Sequence, residues 1–332
     1  MEPSFTRIPS SPPPIPPLPF LDQRPQWSVM IPTYNCTSYL KEALLSVLAQ
    51  DMGEDLMQIE VIDDASTDGD VAALVAELGK GRVQYYRQPI NVGSLRNFET
   101  CLNRARGHYV HLLHSDDRVL AGYYTRMTQL FELHPESGAA FSNYAFIDEA
   151  GNQTKAPLPI DSAGILPNWL VRIAERQLIQ YVTIAVRREV YEHLGGFYGT
   201  NYGEDWEMWV RIARHYPMAY APEILAEYRA HESSISSTKI RQGHVTADLV
   251  LVMEAIQQHL PDKDKAQVAA FSRRFHANRG IGMAYQVLRE TQDWPLAQLH
   301  INQVLSFSRH PSIYYHLFKF HVKQLLHKLS LF

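Results

Sequence analysis

The chain has 332 residues and a net charge of -4 at pH 7, with 45% hydrophobic and 20% charged residues. These values are typical of a globular protein and exclude a disordered, collagen-like or coiled-coil chain. Because a basic excess is lacking, we expect no nucleic-acid partner. The length corresponds to about two domains.

Cysteine content and hydropathy bear on the compartment. Cys36 and Cys101 are the only cysteines, too few for a disulfide framework and typical of a reducing compartment. The N-terminus does not resemble a secretory signal, and no run of about 18 apolar residues predicts a membrane-spanning helix. We therefore expect a cytoplasmic protein, with peripheral contact at the inner membrane face left open.

Residues 1–25 are rich in proline. The run Pro12 to Pro19 predicts an extended polyproline conformation without a core of its own. We interpret residues 1–25 as a disordered leader. The alternative is a ligand for a proline-recognition domain.

Short apolar segments alternate with helical patterns from Trp27 onward. Strands are predicted at 27–31, 58–62, 83–86 and 109–113, and the stretches between them carry apolar residues at helical spacing. This alternation predicts βαβ units. We expect an α/β domain at 26–238 with a mostly parallel, Rossmann-like sheet flanked by helices, followed by an α-helical C-terminal extension at 239–332.

Polar residues follow three of the predicted strands, at Pro32 to Asn35, Asp63 to Asp68 and His114 to Asp117. In an open α/β sheet, ligands bind beyond the carboxyl ends of the strands. The carboxylates expected at this edge are Asp63, Asp64, Asp68, Asp116 and Asp117. Because clustered carboxylates repel one another, a divalent cation that holds a diphosphate would stabilise them.

These segments resemble family 2 glycosyltransferases. The matching segments, in order, are Pro32 to Asn35, Val61 to Asp68, Asn91 to Gly93, Ser115 to Asp117 and Gly203 to Trp206. The resemblance implies the glycosyltransferase A fold and an inverting transfer from a nucleotide-diphosphate sugar, assisted by Mn²⁺ or Mg²⁺. It further implies a glycan or lipid-linked acceptor, in cell-surface glycan or polysaccharide synthesis.

The resemblance also assigns a donor site. Tyr34 would stack on the base, Asp64 would accept its N3–H, and Arg96 would contact base or phosphate. The implied donor-binding residues are Pro32, Thr33, Tyr34, Asn35, Asp63, Asp64, Arg96, Asp116 and Arg229. An Asp that accepts from N3–H favours a uridine or thymidine donor over a guanosine donor. Structural alternatives remain open: turn packing for Tyr34, a local turn bond for Asp64, and a surface ion pair for Arg96.

The implied metal motif departs from the family pattern of Asp-any-Asp, because His114 stands at its first position. The implied metal residues are Asp116, Asp117, His114 and His231. Imidazole can bind Mn²⁺ but suits Mg²⁺ poorly. The alternatives are helix capping by Asp116 and Asp117 and a structural role for His231.

Gly203 to Trp209 resembles the segment that carries the catalytic base, and Asp205 occupies the base position. An inverting transfer needs a carboxylate to take the proton of the acceptor hydroxyl; helix capping by Asp205 is the alternative. The competing function is a non-catalytic nucleotide-binding or scaffold protein with this fold, which His114 favours. A dehydrogenase is disfavoured because no glycine fingerprint follows the first strand.

Residues 311–332 combine three lysines with many apolar residues and contain no acidic residue. A basic amphipathic helix can lie on an anionic membrane, which would suit a lipid-linked acceptor. The alternative is a helix that packs on the core of the extension or on a dimer partner.

Overall fold

The structure, a computed structural model, describes residues 6–19, 23–242 and 245–329. The chain forms two compact units. The first comprises Met1–Trp169 and Leu178–His231, and the second comprises Leu170–Gln177 and Glu232–Phe332. The second unit therefore begins before the predicted boundary at 238. Within the expected leader, residues 1–5 and 20–22 lie outside the described part of the chain.

Strands and helices alternate along the first unit. The strands are β1 (Trp27–Thr33), β2 (Met57–Asp63), β3 (Gln84–Arg87), β4 (Tyr109–Leu112), β5 (Arg118–Val119), β6 (Ala139–Ile147), β7 (Gln153–Lys155), β8 (Gly164–Ile165), β9 (Ile184–Arg187) and β10 (Met218–Arg229). The helices are α1 (Thr37–Leu48), α2 (Val71–Gly79), α3 (Ser94–Arg104), α4 (Tyr123–Leu133), α5 (Trp169–Glu175), α6 (Arg188–Leu194) and α7 (Glu204–His215). All but the first residue of α5 belong to the second unit.

The strands form one mixed sheet in the order β3-β2-β1-β4-β9-β6-β10-β5, with β7 on β6 and β8 on β10. Strands β3, β2, β1 and β4 are mutually parallel, and β6 is parallel to β10. Strand β9 runs antiparallel to both β4 and β6. The predicted α/β fold with a mostly parallel sheet is confirmed.

The central strands are buried on both faces because helices cover both sides of the sheet. Every residue of β1 and β2 is buried, which explains why they read as unbroken apolar runs. Helix α1 buries Leu40, Ala43, Leu44 and Val47, the stripe expected from its spacing. The carboxyl ends of β1, β2 and β4 are thereby fixed at one edge of a rigid sheet.

The proline-rich segment differs from the expected disordered leader, because residues 6–19 pack on the first unit. Ile15 is only 2% exposed, and the carbonyl of Pro13 accepts the N–H of Gly196 at 2.8 Å. A polyproline backbone has no internal hydrogen bonds, so its carbonyls are free to accept from a neighbouring surface. The segment has no core of its own, and its contacts with the first unit hold it in place instead.

The second unit is helical in its described residues, as predicted for the C-terminal extension. Its further helices are α8 (Ile235–Gln242), α9 (Val245–Gln257), α10 (Asp262–Glu290), α11 (Trp294–Phe307) and α12 (Pro311–Leu329). Among the described residues, no helix combines the length and the apolar character that a membrane crossing requires.

Candidate functional site

The loops after β1 and β2 lie side by side, as the strand-end argument predicts. The parallel register pairs Thr33 with Asp63. The N–H of Asn35 donates to Ser66 Oγ at 3.0 Å, and Asn35 Oδ1 accepts the N–H of Thr67 at 2.7 Å. Asn35 has a φ of 46°, a conformation that asparagine tolerates. Asn35 therefore joins the two loops.

Asp63 is completely buried at the end of β2. Its carboxylate accepts hydrogen bonds from the N–H of Ser66 at 2.8 Å and the hydroxyl of Tyr85 at 2.7 Å, and it pairs with Arg87. These donors occupy the carboxylate within the protein. These contacts brace the loop after β2, and the predicted donor contact of Asp63 stays a prediction.

Asp64 is 2% exposed and holds the loop that follows β3. It accepts the N–H of Val92 at 2.6 Å, the N–H of Gly93 at 2.9 Å and the side-chain amide of Asn91 at 2.9 Å. Burial raises the pKa of Asp64, although the two backbone N–H groups oppose the shift. The segments predicted to share a site, Asp63 to Asp68 and Asn91 to Gly93, are thus in contact.

Tyr34 is 50% exposed at the tip of the loop after β1, which leaves a ring face open to a ligand. Pro32 and Thr33 lie within β1 and are buried. The hydroxyl of Thr33 is buried without a hydrogen-bond partner among the described residues. Of these three residues, Tyr34 alone offers its side chain to solvent.

The loop after β4 holds a candidate metal centre. One ligand atom from each of His114, Asp116 and Asp117 lies within 4.8 Å of the others. Within the described residues, His114 Nε2 is buried without a hydrogen-bond partner. Burial lowers the pKa of His114, which keeps a lone pair available for a cation. An unpartnered imidazole nitrogen beside two carboxylates fits a Mn²⁺ ligand set.

The pKa values of the two carboxylates of this centre are shifted in opposite directions. Burial raises the pKa of Asp117 well above its ordinary value, and the neighbouring charge of Asp116 adds to this shift. Burial also acts upward on Asp116, but a hydrogen bond with His231 and the charges of His114 and His231 lower its pKa overall. A cation would relieve the repulsion between the carboxylates.

Aromatic rings surround His114. Its ring centroid lies 4.3 Å from that of Tyr181 and 5.2 Å from that of Phe98. The hydroxyl of Tyr181 in turn donates to Glu204 at 3.3 Å. Tyr181 therefore links the metal loop to the first turn of α7. Neither Tyr181 nor Glu204 was predicted as a site residue from the sequence, although Glu204 lies within the matching segment Gly203 to Trp206.

Arg229 is one of the predicted donor-binding residues. Its guanidinium is fully buried and donates to the carbonyls of Asp116, Asp148 and Glu149, while pairing with Glu42 at 2.8 Å. These acceptors fix the guanidinium against the loop that carries Asp116, and the predicted donor contact of Arg229 stays a prediction.

His231 lies beside the metal centre. Its Nε2 is 3.0 Å from Asp116 Oδ2, and the predicted metal contact of His231 stays a prediction. A histidine in this position orients the carboxylate.

Arg96 points toward the N-terminal segment. Its Nε donates to the carbonyl of Thr6 at 3.0 Å, and its Nη1 pairs with Glu99 at 2.7 Å. The structural alternative, a surface ion pair, is thus present, and the predicted donor contact of Arg96 stays a prediction.

Asp205 lies in the first turn of α7, which begins after Gly203 with a φ of 87°. Its Oδ1 accepts the N–H of the next residue, Trp206, at 2.7 Å. Asp205 is partly exposed, whereas the adjacent Glu204 is 9% exposed. A partly exposed carboxylate at a helix N-terminus can take up a proton from a bound hydroxyl.

Comparison with known proteins agrees with this geometry. Residues 28–195, just over half of the chain, match the model of glycosyl transferase family 2. A putative teichuronic acid biosynthesis glycosyltransferase of Bacillus subtilis, TuaG, is 27% identical, with 67% of this chain and 86% of TuaG covered. The chain spans only 60% of the length of several mycobacterial relatives that it matches.

Two solved structures share the fold. Staphylococcus aureus TarS in complex with UDP-GlcNAc superposes with a TM-score of 0.64 at 20% identity, covering 84% of this chain and 81% of that one. The mannosyltransferase PcManGT of Pyrobaculum calidifontis, in complex with GDP-Man and Mn²⁺, gives 0.56 at 19% identity, covering 98% and 84%. With this glycosyltransferase A fold and the family match, the chain belongs to glycosyl transferase family 2.

Proposed function

We propose that the protein transfers a sugar, with inversion, from a nucleotide-diphosphate donor to an acceptor hydroxyl. The observation that carries this proposal is the centre of His114, Asp116 and Asp117, at the same sheet edge as the loop held by Asp64. Two structural neighbours support a nucleotide-sugar donor, because TarS was solved with UDP-GlcNAc and PcManGT with GDP-Man and Mn²⁺.

His114, Asp116 and Asp117 would hold Mn²⁺, which when bound supplies positive charge for the departing nucleoside diphosphate. Asp205 takes the proton of the acceptor hydroxyl while the oxygen of that hydroxyl attacks C1 of the sugar. The new C1–O bond forms on the face opposite the breaking C1–O(phosphate) bond, so the configuration at C1 inverts. No covalent enzyme intermediate is required.

The donor base would stack on the exposed ring of Tyr34 and donate its N3–H to Asp64. The carboxylate of Asp64 already accepts three hydrogen bonds, which fixes its orientation. Two carboxylate oxygens offer about four acceptor positions, so one remains for the base. This arrangement favours a uridine or thymidine donor.

The test is thermal stabilisation by UDP, dTDP and GDP, each with and without Mn²⁺, followed by measurement of nucleoside diphosphate release. Ligands that bind the folded state raise the melting temperature. We expect a Mn²⁺-dependent shift with UDP or dTDP, and release of that diphosphate from the matching sugar donor. Binding without turnover across a panel of sugar donors and acceptors would support the competing scaffold function.

We also propose that α12 contacts an anionic membrane at the cytoplasmic face and brings the enzyme to a lipid-linked acceptor. One surface of α12 is apolar and exposed: Tyr315 (60%), Phe318 (67%), Leu325 (58%) and Leu326 (61%). Lys319 and Lys323 lie among these residues, and no acidic residue follows Asp293. Residues 330–332 of the predicted segment lie outside the described chain.

This proposal predicts sedimentation with anionic but not neutral vesicles. Phe318→Ser, Leu325→Ser and Leu326→Ser combined should abolish it by removing apolar area. The matched control combines Leu251→Ser, Leu299→Ser and Leu305→Ser, which are exposed apolar positions on α9 and α11. Equal sedimentation of both variants would contradict the proposal, and a dimer that only the α12 variant disrupts would support the alternative of a partner subunit.

A further inference from the structure

The proline-rich segment, residues 6–19, follows a defined path over the first unit. Its carbonyls accept hydrogen bonds in four places: Arg188 to Pro16 at 3.1 Å, Gly196 to Pro13 at 2.8 Å, Gly199 to Pro9 at 2.9 Å and Arg96 to Thr6 at 3.0 Å. The segment thus runs from α6, along the loop that leads to α7, to helix α3. It ends beside the donor-site loop, which is the loop of Asn91, Val92 and Gly93 that Asp64 holds.

Glycines allow the close approach. A Cβ on Gly195 would lie 2.9 Å from Pro12 Cβ and 2.9 Å from the Pro13 carbonyl, and a Cβ on Gly196 would lie 3.0 Å from Pro13 Cγ. Side chains at these positions would displace the segment. Together with the burial of Ile15, this fit shows that the segment occupies a groove shaped to it.

The segment places Arg7 at the donor-site loop. Arg7 Nη2 donates to the carbonyl of Asn91 at 3.0 Å, and its side chain passes within 3.4 Å of the position that a Cβ of Gly93 would take. These are the residues that hold the carboxylate of Asp64. The positive charge of Arg7 acts on Asp64 and favours its ionised form. An exposed guanidinium therefore stands beside the predicted acceptor of the base N–H.

We propose that Arg7 is a specificity-determining residue of the donor site, whose guanidinium donates to the C4 carbonyl oxygen of the donor base, which is the carbonyl that cytosine lacks. This inference rests on the proposed function. Uracil and thymine carry carbonyls on both sides of N3–H, so an acceptor and an adjacent donor match this edge. Cytosine presents an acceptor at N3 and an amine at C4, and both clash with that pattern. The docked N-terminal segment thereby completes base recognition.

The experiment compares UDP with CDP, which differ only at this edge of the base. Affinities are measured by calorimetry in the presence of Mn²⁺ for the wild-type chain and for Arg7→Ala. Hydrogen bonds from charged groups are the stronger class, so we expect Arg7→Ala to weaken UDP binding about 10- to 100-fold and to leave CDP binding nearly unchanged.

Two further variants separate recognition from folding. Ile15→Ser releases the segment from its groove and should reproduce the UDP defect of Arg7→Ala. Arg24→Ala removes an arginine that donates to the carbonyls of Arg106 and Gly107, at the amino end of β4, and should bind UDP like the wild type. Melting temperatures verify that each variant is folded.

The outcomes are distinguishable. Wild-type selectivity for UDP over CDP in Arg7→Ala, or in Ile15→Ser, would overturn the role of the segment. Equal loss of UDP and CDP in Arg7→Ala would assign the guanidinium to the phosphates and overturn base recognition. If the wild type binds GDP but neither UDP nor dTDP, the inference about Arg7 is overturned but the proposal of a donor site is retained. If the wild type binds none of the three nucleotides, the proposed function is overturned as well.

Discussion

The backbone N–H of Arg229 donates a hydrogen bond to Asp117 Oδ1 at 2.8 Å, across 112 positions of sequence. The guanidinium of Arg229 also holds the carbonyl of Asp116 at 2.8 Å and is balanced by Glu42. The last residue of β10 therefore fixes the main chain of Asp116 and the side chain of Asp117. The geometry of the candidate metal centre depends on this long-range pairing.

Arg229→Met should destabilise the first unit, because it leaves three backbone carbonyls without their buried donor, whereas the 38% exposed Glu42 keeps its pair with Arg118. Leaving a buried carbonyl without its donor costs about 1–3 kcal/mol for each group, and urea denaturation measures this loss. The control is Arg126→Met, which removes a surface pair with the half-exposed Glu223 and should cost at most about 1 kcal/mol. Equal costs would show that the buried pairing is not important for stability.

His231→Ala should weaken Mn²⁺ binding without abolishing it, since His231 orients Asp116 and is separate from the three clustered ligand residues. Loss of such an orienting partner typically costs about 10- to 100-fold in metal affinity. Calorimetric titration of Mn²⁺ in the presence of UDP measures the effect, with the exposed His310→Ala as control. Complete loss of binding would instead indicate direct coordination by His231.

His114→Leu distinguishes a metal ligand from an aromatic core residue. Leucine retains an apolar side chain of similar size against Tyr181 and Phe98, so the melting temperature should change little, while Mn²⁺ affinity should fall about tenfold or more. Phe98→Leu perturbs the same aromatic contacts but leaves the imidazole in place, and it should keep Mn²⁺ affinity. Unchanged Mn²⁺ binding in His114→Leu would restrict the centre to its two carboxylates.

The sequence predicted the central strands well because burial on both faces leaves an unbroken apolar pattern. It ended β1 at Ile31, whereas the strand continues to Thr33. Proline lacks the N–H of a ladder bond, yet Pro32 is tolerated because the pairing of β1 with β4 stops at Met30 and only β2 accompanies it further. The sequence also predicted that the loops after these strands lie together, because the carboxyl ends of parallel strands meet at one edge of the sheet.

Side-chain roles were harder to predict, because a sequence shows what a residue can bind but not which distant group already binds it. Arg229 was expected among the donor-binding residues, and Arg96 was expected to contact the base or a phosphate. The guanidinium of Arg229 donates to Glu42, which is 187 positions away, and the guanidinium of Arg96 donates to the carbonyl of Thr6, which is 90 positions away. The docking of the proline-rich segment was missed for the same reason, since the complementary glycines lie near residue 195.

Stability in acid should depend on His111, which is completely buried in β4. Its Nε2 lies 3.1 Å from the carbonyl of Val182 and its Nδ1 lies 3.2 Å from the hydroxyl of Tyr124. Burial lowers its pKa from 6.5 to about 3. The unfolded chain therefore binds one more proton than the folded chain between these values, and stability falls as the pH drops below 6.5.

The variant His111→Gln should flatten this dependence by about one proton, or about 1.4 kcal/mol per pH unit. Urea denaturation at several pH values between 4 and 6.5 measures the slope. Tyr124→Phe removes the hydroxyl but keeps the imidazole, so it should lower stability while preserving most of the slope. An unchanged slope in His111→Gln would mean that His111 does not contribute to acid denaturation.

Asp205→Asn should abolish turnover and leave nucleotide binding nearly intact, because an amide can still accept the N–H of Trp206 but cannot take up a proton. Loss of a general base typically lowers the rate about 10²- to 10⁴-fold. The matched variant is Glu204→Gln, which makes the same change one position earlier in α7. Glu204 is buried and accepts from Tyr181, so its amide variant should retain turnover. Nucleoside diphosphate release and UDP affinity, measured on both variants, decide between the two carboxylates. Normal turnover in Asp205→Asn with loss in Glu204→Gln would move the base to Glu204.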